Sequence, residues 1–140
     1  MKIKLYIALL LFSFKASSST VITPEITDKI TSDITDEIAT AIKSGNSKAL
    51  SAYFTDNVDL KVLAQEDVYS KAQAELIVKD FFAKNLVKSF TIEHKSTKNE
   101  SRFAIGKLES ANGKFRVYFL LKKSAGKLKI QQFRIEPENE

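Results

Sequence analysis

The 140-residue chain has no cysteine, a single histidine and only four glycines. Without cysteine there is no disulfide, no thiolate metal site and no lipid-modified cysteine, so the folded part must hold together by packing alone. One histidine leaves carboxylates as the only other metal ligands, and no pair of them has ligand-like spacing; neither a metal nor another cofactor is expected. The glycines build no phosphate-binding loop, and there is no nucleophile elbow. The apolar run Leu5 to Phe14 is about ten residues, whereas a helix needs roughly 20 to cross a bilayer, so no stable membrane span is expected.

That run sits in an informative order. Lys2 and Lys4 precede it and the small residues Ala16-Ser17-Ser18-Ser19 follow it, which is the layout of a secretory signal peptide. The reading is residues 1–18 as a cleavable signal, with cleavage after Ser18 or Ser19, and residues 19–140 as one exported domain, periplasmic or extracellular. An uncleaved N-terminal anchor is the alternative, kept open by Lys15 at the end of the run.

Formal charge is +5, but three of those charges are Lys2, Lys4 and Lys15 in a stretch without acids, leaving +2 for the exported part. A basic nucleic-acid-binding protein is therefore not indicated, and no nucleic-acid partner is expected. What remains is uneven: residues 19–78 hold ten acidic and five basic residues, residues 79–134 hold fourteen basic and four acidic. Such polarity suits an anionic ligand, or a solvated sheet face offset by an acidic helix.

Isoleucine recurs every four residues from Ile22 to Ile42. With Thr23 as N-cap and Pro24 at the first position, the pattern predicts a helix from about Pro24 to Ser44. Ile30, Ile34, Ile38, Ala41 and Ile42 would face inward, and residues 19–29 would fray or meet a partner. Gly45-Asn46 closes it, and Ser47 would cap a short second helix through Phe54. Alternation over Val58 to Leu63, a turn at Ala64-Gln65-Glu66 and a return through Val68 and Tyr69 make a small hairpin. Ser70 and Gln73 form a capping-box pattern for a third helix to about Asn85, with Ala74, Ile77, Val78, Phe81 and Phe82 as its apolar stripe.

From Val87 the period is two. Four long strands are predicted, with inward residues Phe90, Ile92 and His94 on the first and Phe103 and Ile105 on the second. The third would bury Phe115, Val117, Phe119 and Leu121, and the last Leu128 and Ile130. Turns at residues 96–101, 111–113 and 124–126 join them. On the last strand the phase shifts from Ile130 to Phe133 and Ile135, and a bulge at Gln131-Gln132 would keep all four apolar residues inside. The fold class is α+β: a curved antiparallel sheet of four long strands plus a small hairpin, wrapped around N-terminal helices and one packed helix.

The segment Ser44-Gly45-Asn46-Ser47-Lys48-Ala49-Leu50-Ser51-Ala52-Tyr53-Phe54-Thr55-Asp56-Asn57-Val58, with the helix restart at Ser70, resembles the nuclear transport factor two-like superfamily, the cystatin-like cone fold. Within it the chain looks most like short exported bacterial single-domain proteins of unknown function. Superfamily members include isomerases, dehydratases, polyketide cyclases, oxygenase subunits, transport factors and secretion-complex parts. The resemblance therefore implies a fold and leaves the activity open.

Candidate chemistry is sparse. An acid/base enzyme on such a cone needs a buried Asp or His, and the candidates are His94 with Tyr69 or Asp67 in reach. A ligand pocket would draw on Tyr53, Tyr69, His94, Phe103 and Phe119. Asp56, Asp59 and Asp67 read equally as turn residues, and seven phenylalanines are bulk enough to fill a small cone. Asn99-Glu100-Ser101 matches a glycosylation triplet, a pattern common by chance. Arg116, Tyr118, Leu120 and Lys122 alternate onto the opposite sheet face and are the candidate interaction surface. The expectation is a non-enzymatic binding or interaction module of the cell envelope. Its partner would be a protein, a second copy through the sheet, or a small apolar or anionic ligand. The alternative is a small-molecule binder or isomerase-type enzyme using His94 and Tyr69.

Overall fold

The computed structural model describes residues 33–139; the predicted signal segment, the predicted helix start at Pro24 and Ile30 lie outside them. Helix α1 (Ile34–Lys43) begins where Asp33 caps it. The Asp33 backbone is non-helical (φ −53°, ψ 133°) and its carboxylate accepts the Thr35 N–H at 3.3 Å. One unbroken helix from Pro24 to Ser44 is thus corrected at residue 33. Ile38, Ala41 and Ile42 are buried and Ile34 partly so. In α2 (Ser47–Ser51) the cap is Asn46 rather than Ser47: its side-chain oxygen accepts the Ala49 N–H at 3.0 Å. The helix stops short of Phe54, which opens the first strand and is buried.

Strands β1 (Phe54–Val62) and β2 (Gln65–Ser70) form the small hairpin, with Val62 opposite Gln65. Its turn is Leu63-Ala64, one residue earlier than predicted, with Leu63 at φ 56°. Helix α3 (Lys71–Lys84) carries the complete Ser70/Gln73 capping box and buries Ala74, Val78, Phe81 and Phe82. Strands β3 (Val87–Lys98), β4 (Ser101–Ser110), β5 (Gly113–Ser124) and β6 (Lys127–Pro137) follow as consecutive hairpins with two-residue turns. The order is β2-β1-β6-β5-β4-β3, and β1 lies parallel to β6. The sheet is therefore one mixed six-stranded sheet, in which the small hairpin extends the long strands through a parallel pairing that no local pattern announces.

Phenylalanine fills the space between sheet and helices. Phe54, Phe119 and Phe133 are fully buried, with ring centroids 5.8 and 6.5 Å apart, and Phe81 meets Phe115 edge-on at 5.1 Å. The buried polar residues among those described are Thr35, Ser51, Asn85 and Ser110, none of them ionisable. The bulge on β6 falls at Gln131: Ile130 pairs with Leu121 and Gln132 with Leu120, so Ile130, Phe133 and Ile135 are all buried.

Strand β4 faces the other way from its prediction. Ala104, Gly106 and Leu108 point inward, and Phe103 and Ile105 point outward. The cause is the Phe90 ring, which lies against Gly106 so closely that a β-carbon there would be 2.4 Å from its Cζ. The small residues of β4 make room for the large ring of β3; choosing the larger side chains as the inner set misses this. On β3 the register slips at Glu93, so Ile92 opposes Gly106 while His94 opposes Ile105, and the bulge turns His94 to the outer face.

The start of α1 is tied to the sheet by charge. Arg102 lies 3.1 Å and Lys95 3.5 Å from the Asp33 carboxylate, and Lys95 also lies 3.5 Å from Asp36. Partial burial opposes ionisation of Asp33, but the Thr35 N–H and the two cations outweigh it and hold its carboxyl below the usual range.

Gly106→Ala is expected to destabilise the domain by about 1–3 kcal/mol through this clash, read as a lower urea midpoint at unchanged slope. Asp33→Asn keeps a capping side chain and removes the charge. It should cost at most about 1 kcal/mol at neutral pH. Because the folded carboxyl titrates below the unfolded one, that difference persists above the ordinary carboxylate pKa and disappears as pH falls through the folded value.

Candidate functional site: the outer face of the sheet

The helices cover one face of the sheet, and the other carries side chains in registered rows. One row reads His94, Ile105, Tyr118, Arg134, Lys61, Glu66 from β3 to β2. A second reads Ser96, Phe103, Leu120, Gln132, Asp59, Val68, and a third Lys107, Arg116, Glu136. Over β3, β4 and β5 the first two rows are mainly aromatic and aliphatic, and the third is charged. The His94 and Phe103 rings are 5.7 Å apart, those of Phe103 and Tyr118 6.2 Å, with Ile105 and Leu120 alongside. Side by side they shelter one another, leaving Phe103, Ile105, Tyr118 and Leu120 half-buried.

Over β6, β1 and β2 the same face is an ion-pair lattice. Arg134 lies 3.8 Å from Asp59 and 3.4 Å from Glu66; Lys61 lies 2.8 Å from Glu136 and 4.0 Å from Glu66. Gln132 donates to Asp59 at 2.8 Å. The Lys61 hydrogen bond holds the Glu136 carboxyl below the usual range, and the same bond raises Lys61. These groups escaped the sequence reading: each strand shows its alternation, but only the parallel β1–β6 pairing and the β6 bulge put Asp59, Lys61, Arg134 and Glu136 side by side.

The predicted acid/base group does not assemble. His94 is exposed on the outer face of edge strand β3, a correction of its inward placement, whereas Tyr69 and Asp67 are on β2, the opposite edge. Five strand spacings, about 24 Å, separate those edges along the sheet. Asp67 accepts the Val68 N–H at 2.8 Å and so occupies a backbone donor. Tyr69 packs partly against the core. Nor do the five pocket candidates converge. Phe119 is core, and Tyr53 sits beside α1 with its hydroxyl donating to Glu37 at 3.0 Å. Phe103 and His94 are on the outer face. Arg116, Tyr118, Leu120 and Lys122 project from β5 to that face as well.

The face is not flat. An open depression of about 600 Å³ lies among Glu93, His94, Lys107, Arg116 and Glu136, and one of about 340 Å³ runs between Val68 and Leu120 over Asp59 and Gln132. Among the described residues no three His, Asp or Glu side chains are placed to hold a metal ion. This arrangement offers hydrophobic contact, stacking and charge pairing, the means of an association surface.

A curved six-stranded mixed sheet packed on three helices, with this element order, is the nuclear transport factor two-like, cystatin-like cone fold. Within that class the chain belongs to the DUF4783 family, described as a domain of unknown function, whose profile matches residues 35–136. The structure of a DUF4783 family protein from Bacteroides uniformis is 36% identical, covering 77% of this chain and 100% of that one at a TM-score of 0.74. One from Bacteroides ovatus is 38% identical, covering 74% and 94% at 0.71. A domain of unknown function with a cystatin-like fold from Nostoc punctiforme shares the fold alone: 8% identity, 76% and 74% coverage, TM-score 0.60. No curated protein matches the chain.

Placement on face or in core predicts opposite outcomes for two of the candidates. His94→Ala should leave stability within about 0.5 kcal/mol, as at an exposed position, whereas Phe119→Ala should cost about 3–5 kcal/mol through an unfilled core cavity. Chemical denaturation of both variants measures the contrast.

Proposed function

We propose that the chain is an exported, non-enzymatic interaction module of the cell envelope whose working surface is the outer face of the sheet. The observation that carries this reading is the contiguous strip of His94, Phe103, Ile105, Tyr118 and Leu120 on the side the helices leave open. Packed apolar side chains on an uncovered face are the usual mark of a protein contact. The filled interior supports the non-catalytic half of the reading, since the ionisable candidates His94 and Asp67 lie at the surface on opposite edges of the sheet, apart from one another. The charged, apolar and small-residue order of residues 1–19 supports export.

A photoreactive cross-linker placed at Lys122 and activated in cells should give discrete adducts in the envelope fraction, and Tyr118→Glu should abolish them without lowering the melting temperature by more than a few degrees. Adducts that persist unchanged in the Tyr118→Glu chain would show that the face is not the contact surface. The intact mass of the recovered protein should correspond to a chain starting at Ser19 or Thr20; a cytoplasmic, full-length product would refute export.

A further inference from the structure

We infer that the end of the sheet formed by the β3–β4 and β5–β6 turns docks on an anionic phospholipid bilayer, its lysines holding lipid phosphates and an apolar depression beside them resting among the headgroups. The inference is independent of the interaction-face reading: it concerns the turns at one end of the strands, and it stands or falls whatever binds the rows along them.

Residues 97–102 and 122–129 carry six cations, Lys98, Arg102, Lys122, Lys123, Lys127 and Lys129, against one acid, Glu100. Residues 19–140 as a whole have a surplus of only two, so the basic excess of the domain is gathered at this end. The two turns are neighbours, since β4 pairs with β5 and Lys123 lies 3.5 Å from Glu100. Arg102 is engaged by Asp33 and Lys123 by Glu100, whereas Lys98, Lys122, Lys127 and Lys129 make no salt bridge among the described residues. Lys122 and Lys129 are registered directly opposite one another, a pairing of like charges that works against stability. Protection of a sheet edge does not account for it, because β5 and β6 lie inside the sheet. Both turns have two residues, with Asn99 at φ 53°, Ala125 at 50° and Gly126 at 78°. Such tight turns fix the backbone under the lysines in advance, so little order is lost when an anion arrives.

Beside these lysines is an open depression of about 420 Å³ among Ile34, Ala52, Tyr53, Lys127, Leu128 and Lys129. Ile34, Tyr53 and Leu128 are covered by the core on one side only. Lys127 and Lys129 border it with their charges, and Lys129 Nζ donates to the Ala52 carbonyl at 3.2 Å. An apolar floor with a cationic rim answers an amphiphile with a negative head: phosphate oxygens accept from the ammonium groups, and the first methylenes of an acyl chain cover the floor. A tyrosine ring suits the headgroup level of a bilayer. A free phosphate fits less well. It has nothing to set against Leu128, and the two turns lie about 10 Å apart, two strand spacings, beyond the span of one phosphate. A bilayer presents its charge over a plane and engages all four unpaired lysines together.

Co-sedimentation of residues 19–140, which contain the whole described domain, with phospholipid vesicles tests this. The chain should bind vesicles of mixed phosphatidylglycerol and phosphatidylcholine at low salt, leave those of phosphatidylcholine alone in solution, and release as salt is raised. Lys98→Gln and Lys127→Gln should each weaken binding about fivefold, and together with Lys129→Gln about a hundredfold. Lys88→Gln and Lys114→Gln, exposed lysines at the other end of the strands, should leave it unchanged. The chain has no tryptophan, so Ala52→Trp reports on the depression alone: its emission should move to shorter wavelength on the anionic vesicles, and that of Lys114→Trp should not. Circular dichroism confirms the fold of every variant.

Failure to bind the anionic vesicles at low salt would overturn the inference. So would equal losses from Lys88→Gln, Lys114→Gln and the turn variants, which would reduce the effect to overall charge. Release by inorganic phosphate, where sodium chloride of the same ionic strength does not release, would assign the lysines to a soluble anion instead. An Ala52→Trp emission that is already blue-shifted without vesicles, and is unmoved by them, would give the depression to a covering protein segment and overturn the lipid contact as well.

Discussion

The contact between the Phe90 ring and the bare backbone of Gly106 governs what each face of this domain displays. A β-carbon at residue 106 would sit inside the ring's van der Waals envelope, so β4 must turn a glycine inward where the Phe90 ring reaches across from its registered partner Leu108. Strands alternate strictly, so once Ala104 and Gly106 point inward, Phe103 and Ile105 have no choice but to point outward. Much of the apolar strip on the outer face follows from that one steric accommodation inside the domain.

Two extra residues complete the partition. At Gln131 the added residue restores Phe133 and Ile135 to the core after Ile130, and with them the stacked Phe54, Phe119 and Phe133 rings. At Glu93 the added residue does the reverse, taking His94 out of line with Phe90 and Ile92 and setting its imidazole against Phe103. Both are single-residue slips, and each flips every side chain beyond it to the opposite face. One preserves the core; the other removes the only histidine from it. The result is a domain with phenylalanine inside and its histidine on the outer face.

Charge is organised on a larger scale than any one element. The acidic first half of the chain supplies Asp33 and Asp36 to a latch with Lys95 and Arg102, and Asp59 and Glu66 to the lattice around Arg134 and Lys61. The basic second half answers in both places, so the asymmetry seen along the sequence is largely neutralised in space. Exposed pairs of this kind contribute little to stability individually. Their consequence is to set a charged lattice over β6, β1 and β2 beside the aromatic strip, with Arg116 next to Glu136 at the boundary.

Local patterns carried far in this chain. The capping box at Ser70, the apolar stripe of α3, the inward residues of β5 and the phase shift on β6 were all legible, because each depends on neighbours within a few residues. The small-residue turn and aromatic at Ser44 to Val58 carried the cone fold. Boundaries slipped where two residues compete for one task, as with Asn46 and Ser47, or where an internal cap such as Asp33 interrupts a continuing apolar rhythm. The candidate site was half legible: Arg116, Tyr118, Leu120 and Lys122 follow from alternation on one strand, but their neighbours Phe103, His94, Arg134 and Glu136 do not.

Composition and periodicity by themselves determined an α+β domain without disulfides, its element order, and phenylalanine as its filling, since hydrophobic spacing and turn chemistry act over short stretches of chain. Only the tertiary structure decided which side of β4 turns inward, where His94 points, and that β1 closes the sheet by lying parallel to β6. Those choices depend on volume shared between residues far apart in sequence, and no pattern within one strand encodes the size of the side chain it will meet across the sheet.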